Sequence, residues 1–95
     1  MILSFACRET RKIFEGEVSR AFPADIQRRT ARKLASIDFA PTIEDLRTPP
    51  SNHLERLVGK RKGMYSIRIN DQYRICFVWT MESNAEDVEI VDYHK

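Results

Sequence analysis

The stretch Tyr65-Ser66-Ile67-Arg68-Ile69-Asn70-Asp71-Gln72-Tyr73-Arg74-Ile75-Cys76-Phe77-Val78-Trp79 decides the fold. On both sides of Asn70-Asp71-Gln72 a large apolar side chain recurs at every second residue, which is the period of a half-buried strand. Tyr65, Ile67 and Ile69 form one apolar row and Tyr73, Ile75, Phe77 and Trp79 the other, with Ser66, Arg68, Arg74, Cys76 and Val78 at the alternate positions. Two strands joined by so short a polar segment make an antiparallel hairpin. Parity sets its register, because a slip of one residue turns every side chain of a strand to the opposite face. A two-residue loop of Asn70 and Asp71 would set Ile67 against Arg74, mixing core with charge. A three-residue loop from Asn70 to Gln72 instead sets Ile69 opposite Tyr73, Ile67 opposite Ile75 and Arg68 opposite Arg74. The three-residue loop is therefore expected. It holds no glycine, so Asn and Asp are expected to take the left-handed conformation such loops usually need.

Period-two patterning begins near Leu54, and a last strand is expected from Val88 to Tyr93 after a turn around Glu82 to Ala85. Upstream, Thr48-Pro49-Pro50-Ser51-Asn52 marks a loop, since consecutive prolines forbid helix. Before it, Ile26, Thr30, Leu34 and Ile37 recur at helical spacing between Ala24 and Phe39, while Arg28, Arg29, Arg32 and Lys33 fall mostly on other faces. This predicts an amphipathic helix packed on something flat. Pro41 stops it, and Thr42 with Asp45 three residues on resembles a capping box for one short turn ending near Leu46. Ile2 to Phe5 is expected as a short strand and Arg8 to Glu17 as a helix with Ile13 and Phe14 inward. The fold class that follows is α+β, with N-terminal helices packed on one face of a small antiparallel sheet of three or four strands. The other face, carrying Arg68 and Arg74, is left open.

A chain of 95 residues suits one domain, residues 1–95, with a single modest core and no room for a large internal cofactor pocket. Apolar residues make up 42% and charged residues 32%, which argues against disorder. The net charge of +2 hides a partition: Arg47, Arg56, Lys60, Arg61, Lys62, Arg68 and Arg74 against Glu55 and Asp71 give residues 47–74 a net +5, while residues 75–95 carry −4. Clustered cations suit a polyphosphate ligand, because neutralising phosphates releases condensed counterions. Charge alone more often marks an ordinary solvated surface. Cys7 and Cys76 have neither CxxC nor Cys/His ligand spacing, so no zinc site or disulfide framework is expected. The start lacks a basic leader, and no segment approaches the roughly 20 apolar residues of a membrane span. A reduced, cytoplasmic protein without membrane contact is the expectation.

The open face is where chemistry can gather. Arg68 and Arg74 are expected directly across from one another, with the basic loop Gly59-Lys60-Arg61-Lys62-Gly63 at one end and Tyr93-His94 near the chain end. Like charges paired across strands cost stability, about 0.2–1 kcal/mol, and an anionic ligand offsets that cost. Taken singly, Arg74 reads as a surface strand residue, Lys60, Arg61 and Lys62 as a solvated turn, and Tyr73 and Trp79 as core.

Three segments taken together resemble one family: Pro49 to Leu57, then Gly59 to Phe77 with its Tyr-Ser-Ile-Arg-Ile-Asn-Asp-Gln-Tyr-Arg core, and Val88 to His94 with its Asp-Tyr-His ending. The family is the plasmid-maintenance killer, or HigB, branch of the RelE/ParE toxin superfamily, and the likeness covers most of the chain. It implies a cytoplasmic endoribonuclease that cuts messenger RNA, typically on the ribosome, with no metal and no organic cofactor. It also implies a cognate helix-turn-helix antitoxin resembling HigA, through which alone the toxin reaches operator DNA. In such enzymes the ribose 2′-hydroxyl attacks the adjacent phosphorus, so the protein must accept a proton, stabilise a dianionic phosphorane and protonate the leaving oxygen. Arg74 aligns with the family's arginine at the scissile phosphate, and its permanent charge and planar donor fork suit that task. Tyr93 and His94 align with the C-terminal aromatic and imidazole pair, His94 as acid or base and Tyr93 as a stacking platform or proton donor. Being consecutive on a strand, they point to opposite faces unless the tail bends. Some members place a histidine and a lysine just before the basic loop, where this chain has Glu55 and Val58. The general base is therefore open, with Glu55 a candidate whose pKa burial would raise and the arginines Arg56 and Arg61 would lower. Arg56, Lys60, Arg61, Lys62 and Arg68 are the expected RNA-binding cations.

Two other classes use the same scaffold. A gyrase-inhibiting relative of the ParE kind has no chemical need for Arg74, Tyr93 and His94, and a noncatalytic RNA-binding module would show steep salt dependence without strand scission.

Overall fold

The structure is a computed structural model and describes residues 1–58 and 63–93. The central hairpin pairs β2 (Met64–Arg68) with β3 (Tyr73–Trp79) in the expected register, with Ile67 opposite Ile75 and Arg68 opposite Arg74. Its three-residue loop closes without left-handed residues, because none of Asn70, Asp71 and Gln72 has positive φ. The Asn70 side-chain oxygen instead accepts from the Gln72 amide at 2.9 Å and the Tyr73 amide at 2.7 Å. An Asx turn therefore does what a left-handed residue was expected to do.

β1 (Glu55–Arg56) pairs with the start of β2, and β4 (Ala85–Asp92) pairs with β3. Among the described residues the sheet has four antiparallel strands in the order β1-β2-β3-β4. β4 begins three residues earlier than the sequence pattern suggests. Cys76 faces Glu89 but Val78 faces Glu86, so β4 carries one extra residue between these pairs. Asp87 sits in this bulge at φ +52, a conformation Asp tolerates. The bulge brings both Ala85 and Val88 inward, which breaks the simple alternation that parity counting relies on. It also corrects the expected N-terminal strand. Only Ile2 and Phe5 form bridges, parallel to β4 at Ala85 and Val88, on either side of the bulge. Between them the Asp87 amide donates to the Ser4 hydroxyl at 2.9 Å.

The helices form as patterned but with sharper ends. α1 spans Arg8–Phe14, shorter than expected, because Gly16 at φ +89 stops it. Amides of Gly16 and Glu17 return to the carbonyls of Ile13 at 3.1 Å and Lys12 at 2.8 Å, the hydrogen-bond pair of a Schellman stop. A 3-10 turn, Ala24–Ile26, leads into α2, Gln27–Phe39. The four residues picked out by periodicity, Ile26, Thr30, Leu34 and Ile37, are all buried. Ile26, Leu34 and Ile37 meet Ile67, Ile75 and Phe77 of the sheet and Ile69 just beyond β2, with Val88 and Ile90 from β4, to make the core. The capping box at Thr42 and Asp45 forms as expected and starts a 3-10 turn over Ile43–Arg47. A further turn, Pro50–Asn52, follows the Pro-Pro break and carries the buried Asn52 toward the sheet.

Within this core the Thr30 hydroxyl is buried and has no hydrogen-bond partner among the described residues. A buried unpaired hydroxyl costs its desolvation, so Thr30→Val is expected to raise stability by about 1 kcal/mol. An unchanged or lower urea midpoint for that variant would show that the hydroxyl is satisfied.

Candidate active site

Because the helices cover the Ile67–Ile75 face, the alternate row of β3 and its neighbours looks outward. Glu55 stands opposite Ser66, Ser66 opposite Cys76, Arg68 opposite Arg74, and Arg74 opposite Val91. Arg74 lies on this outer face, yet only 8% of it is exposed. The residues that enclose it come from three parts of the chain.

Ser66 on β2 presents its hydroxyl to Arg74 Nε at 2.8 Å, and its carbonyl accepts from Nη2 at 3.3 Å. The second acceptor for Nη2 is the His53 carbonyl at 2.5 Å. His53 ends the Pro50–Asn52 turn in a left-handed conformation, φ +43 and ψ +57. Nη1 points toward Glu55, whose carboxylate stands 3.9 Å away and is itself half exposed. The third wall is Tyr93, whose ring lies 5.8 Å from the guanidinium carbon, a cation–π arrangement.

The electrostatic consequence is specific. A hydroxyl and two carbonyls hold the fork in place without neutralising it, and the one carboxylate paired with it among the described residues is at the limit of ion-pair distance. The site therefore keeps a fixed positive charge, with Nη1 on the side of the half-exposed Glu55, a geometry suited to a phosphoryl oxygen. Tyr93 is 43% exposed as a residue, but its hydroxyl lies 3.8 Å from the buried Cys76 sulfur. Burial and the Cys76 neighbour push the phenol above its ordinary pKa, against smaller lowering effects from Ser66 and Arg74. Tyr93 thus stays protonated near neutrality and can donate a hydrogen bond or stack, but it is a poor base.

The structure sorts the sequence candidates into groups. Arg74, Glu55 and Tyr93 come together. Arg56 alternates with Glu55 on β1 and pairs with Tyr65, in the row of the other face, and is exposed there. Arg68 faces Arg74 in the backbone register, but its guanidinium ion-pairs with Asp71. The two arginines are therefore not the bare like-charge pair that parity suggested, because each has its own acceptors. Lys60, Arg61, Lys62 and His94 lie outside the described residues. Among the described residues no three His, Cys, Asp or Glu side chains gather closely enough to hold a metal ion.

Ser66 was not singled out by sequence reasoning, although its place in the outward row between Tyr65 and Ile67 was readable. It is fully buried and touches the group that carries the charge. Ser66→Ala removes the Nε acceptor and should lower turnover about tenfold through loss of one hydrogen bond to a charged donor. A single-turnover rate equal to that of the unmodified protein would show that the two carbonyls and Glu55 suffice to orient Arg74.

A small α+β protein with one arginine anchored and nearly buried on the sheet face opposite its helices is the class that fold and site define. The profile of a family described as the RelE-like toxin of type II toxin-antitoxin system HigB matches residues 3–94. The chain belongs to the HigB family of RelE-like toxins of type II toxin–antitoxin systems, and a cognate antitoxin is its partner. It is 40% identical over 80 residues to the toxin HigB-1 of Vibrio cholerae, covering 83% of this chain and 84% of that one. It is also 32% identical over 94 residues to the endoribonuclease HigB of Proteus vulgaris, covering 99% and 100%. A Haemophilus influenzae protein without an assigned function is 39% identical over 79 residues, covering 83% of this chain and 76% of the relative. No helix among the described residues is long and apolar enough to cross a membrane.

Proposed function

We propose that this toxin is an endoribonuclease that cleaves messenger RNA, engaged with the ribosome, by attack of a ribose 2′-hydroxyl on the adjacent phosphorus. The observation that carries the reading is Arg74, anchored by Ser66 and the His53 carbonyl, with Nη1 toward Glu55 and the Tyr93 ring beside the guanidinium. Arg74 grips the scissile phosphate and stabilises the charge that builds on its oxygens. The attacking oxygen forms its bond to phosphorus while its proton passes to a base, and the 5′-oxygen leaves with a proton from an acid. Glu55 and His94 are the two candidates for the base. Tyr93, kept protonated, stacks on an adjacent base or donates to the leaving oxygen. The products are a 2′,3′-cyclic phosphate and a free 5′-hydroxyl. The chemistry is complete without a metal or an organic cofactor. The cognate antitoxin is a helix-turn-helix protein of the HigA kind, which carries the toxin to operator DNA.

The endoribonuclease name of the Proteus vulgaris relative supports the same reading. Brief induction followed by primer-extension mapping of transcripts tests it, together with purified protein added to a translating extract containing a chelator. Discrete cuts ending in 2′,3′-cyclic phosphates are expected. Intact messenger RNA alongside inhibited DNA supercoiling would overturn the reading in favour of gyrase poisoning.

A further inference from the structure

A second concentration of positive charge lies beyond the point where β1 ends. β1 pairs only with Tyr65 and Ser66, so the end of β2 is bordered instead by α2 and the Pro50–Asn52 turn. Arg29, Lys33, Ser51, Arg68 and Ile69 line a cavity there of about 340 Å³. An adjoining cavity of about 260 Å³ shares Arg29 and Lys33 and adds Arg32, Ser36, Pro49 and Asn52. Among the described residues the two linings hold four cations and no acidic residue.

Two of these cations are held by structural acceptors. Arg29 Nη1 donates to the Ile69 carbonyl at 3.1 Å, and the Lys33 ammonium donates to the Asn52 side-chain oxygen at 2.5 Å. Asn52 is buried, and its own amide is tied to the Leu46 carbonyl at 3.1 Å and the Thr48 carbonyl at 3.3 Å. A buried side chain thus aims its oxygen at a lysine that stands one helical turn from Arg29, a spacing at which like charges repel. Burial, with Arg29 and Arg68 nearby, holds the Lys33 ammonium below its ordinary pKa. Asp71 offsets part of this charge through Arg68, but it is almost fully exposed. The arrangement is electrostatically costly in the free protein, and an anion entering the groove relieves that cost.

We propose that the groove between α2 and the Pro50–Asn52 turn seats a phosphodiester of the RNA backbone on Arg29, Lys33 and Arg68, outside the linkage that is cut. The inference rests on the reading of RNA as substrate. An RNA strand is favoured over an acidic peptide because Arg68 stands directly across the hairpin from Arg74. The groove thus continues the track that begins at the scissile phosphate, and evenly spaced backbone charges fit cations spread along such a track. Ser51 adds a hydroxyl to the same lining.

The probe is a single-stranded 2′-O-methyl oligonucleotide, which has no nucleophile and is not cleaved, followed by fluorescence anisotropy across a salt series. Arg29→Gln and Lys33→Gln are each expected to weaken binding about tenfold at low salt and to reduce the salt slope by about 0.7 for a lost phosphate contact. Urea unfolding of the same preparations checks that each variant is folded. If either variant fails to fold, Arg32→Gln on the exposed rim takes its place, with a smaller loss of the same kind expected. Unchanged affinity and slope in the folded variants overturn the proposal. So does weakened binding of purified antitoxin with RNA affinity intact, which assigns the groove to the protein partner. Since the probe is not cut, these results stand apart from catalysis: full cleavage by Arg74→Ala would remove the active site proposed above without touching the groove.

Discussion

Arg74→Lys is expected to lower RNA cleavage by at least about 10²-fold, the usual cost of losing one fixed donor to a developing oxyanion. Charge is retained in this variant, so the loss isolates geometry. A lysine ammonium is a compact donor on a flexible stem and cannot reach the Ser66 hydroxyl, the His53 carbonyl and a phosphate together. The arginine does so because its Nε, Nη1 and Nη2 point in fixed, divergent directions, with two of them already engaged. Arg74→Ala should cost as much or more, and it also leaves Ser66 and the His53 carbonyl without their shared donor. Single-turnover rates at saturating RNA, taken beside urea unfolding of the same preparations, separate the two effects. A folded Arg74→Lys protein cleaving at the parent's rate would remove Arg74 from the chemistry.

Three residues further along the same strand, Phe77→Ala should destabilise the fold by about 3–5 kcal/mol. Phe77 is wholly buried. Its ring stacks on Tyr65 with centroids 6.4 Å apart and meets Trp79 edge-on at 6.3 Å. The alanine leaves a cavity at the centre of the sheet-facing core, and the neighbouring rings can collapse into it only in part. Total stability of a domain this size is about 5–15 kcal/mol, so the variant is expected to sit close to its unfolding transition at room temperature. A shift in urea midpoint equivalent to under about 1 kcal/mol would mean that the core repacks around the missing ring. Phe77 and Arg74 stand on opposite faces of one strand because its side chains alternate, so the first substitution is expected to read out in stability and the second in cleavage.

How much of this was legible in the residues follows from what each feature depends on. The α2 stripe of Ile26, Thr30, Leu34 and Ile37 was readable because helical period is a local property, and all four are buried. The stop at Gly16 is local too, but apolar period alone does not mark where a helix ends, so α1 is shorter than its pattern. The start of β4 was hidden because the bulge at Asp87 shifts the inward positions from alternate to third residues. Of the site, the family likeness pointed to Arg74 and Tyr93, and these lie together. The role of Ser66 and of the His53 backbone had no sequence signal beyond parity, since a carbonyl is the same atom in every residue.

By itself the sequence determined which side chains share a sheet face and in what register the hairpin closes. Those depend on period and parity, which survive any arrangement of the helices. Only the tertiary structure decided that Arg74 is clamped while Arg68, its neighbour across the hairpin, turns to Asp71. The reason is that a guanidinium is held by acceptors arriving from elsewhere in the chain: the His53 carbonyl, 21 residues away, reaches Arg74 through a left-handed turn that no residue pattern announces.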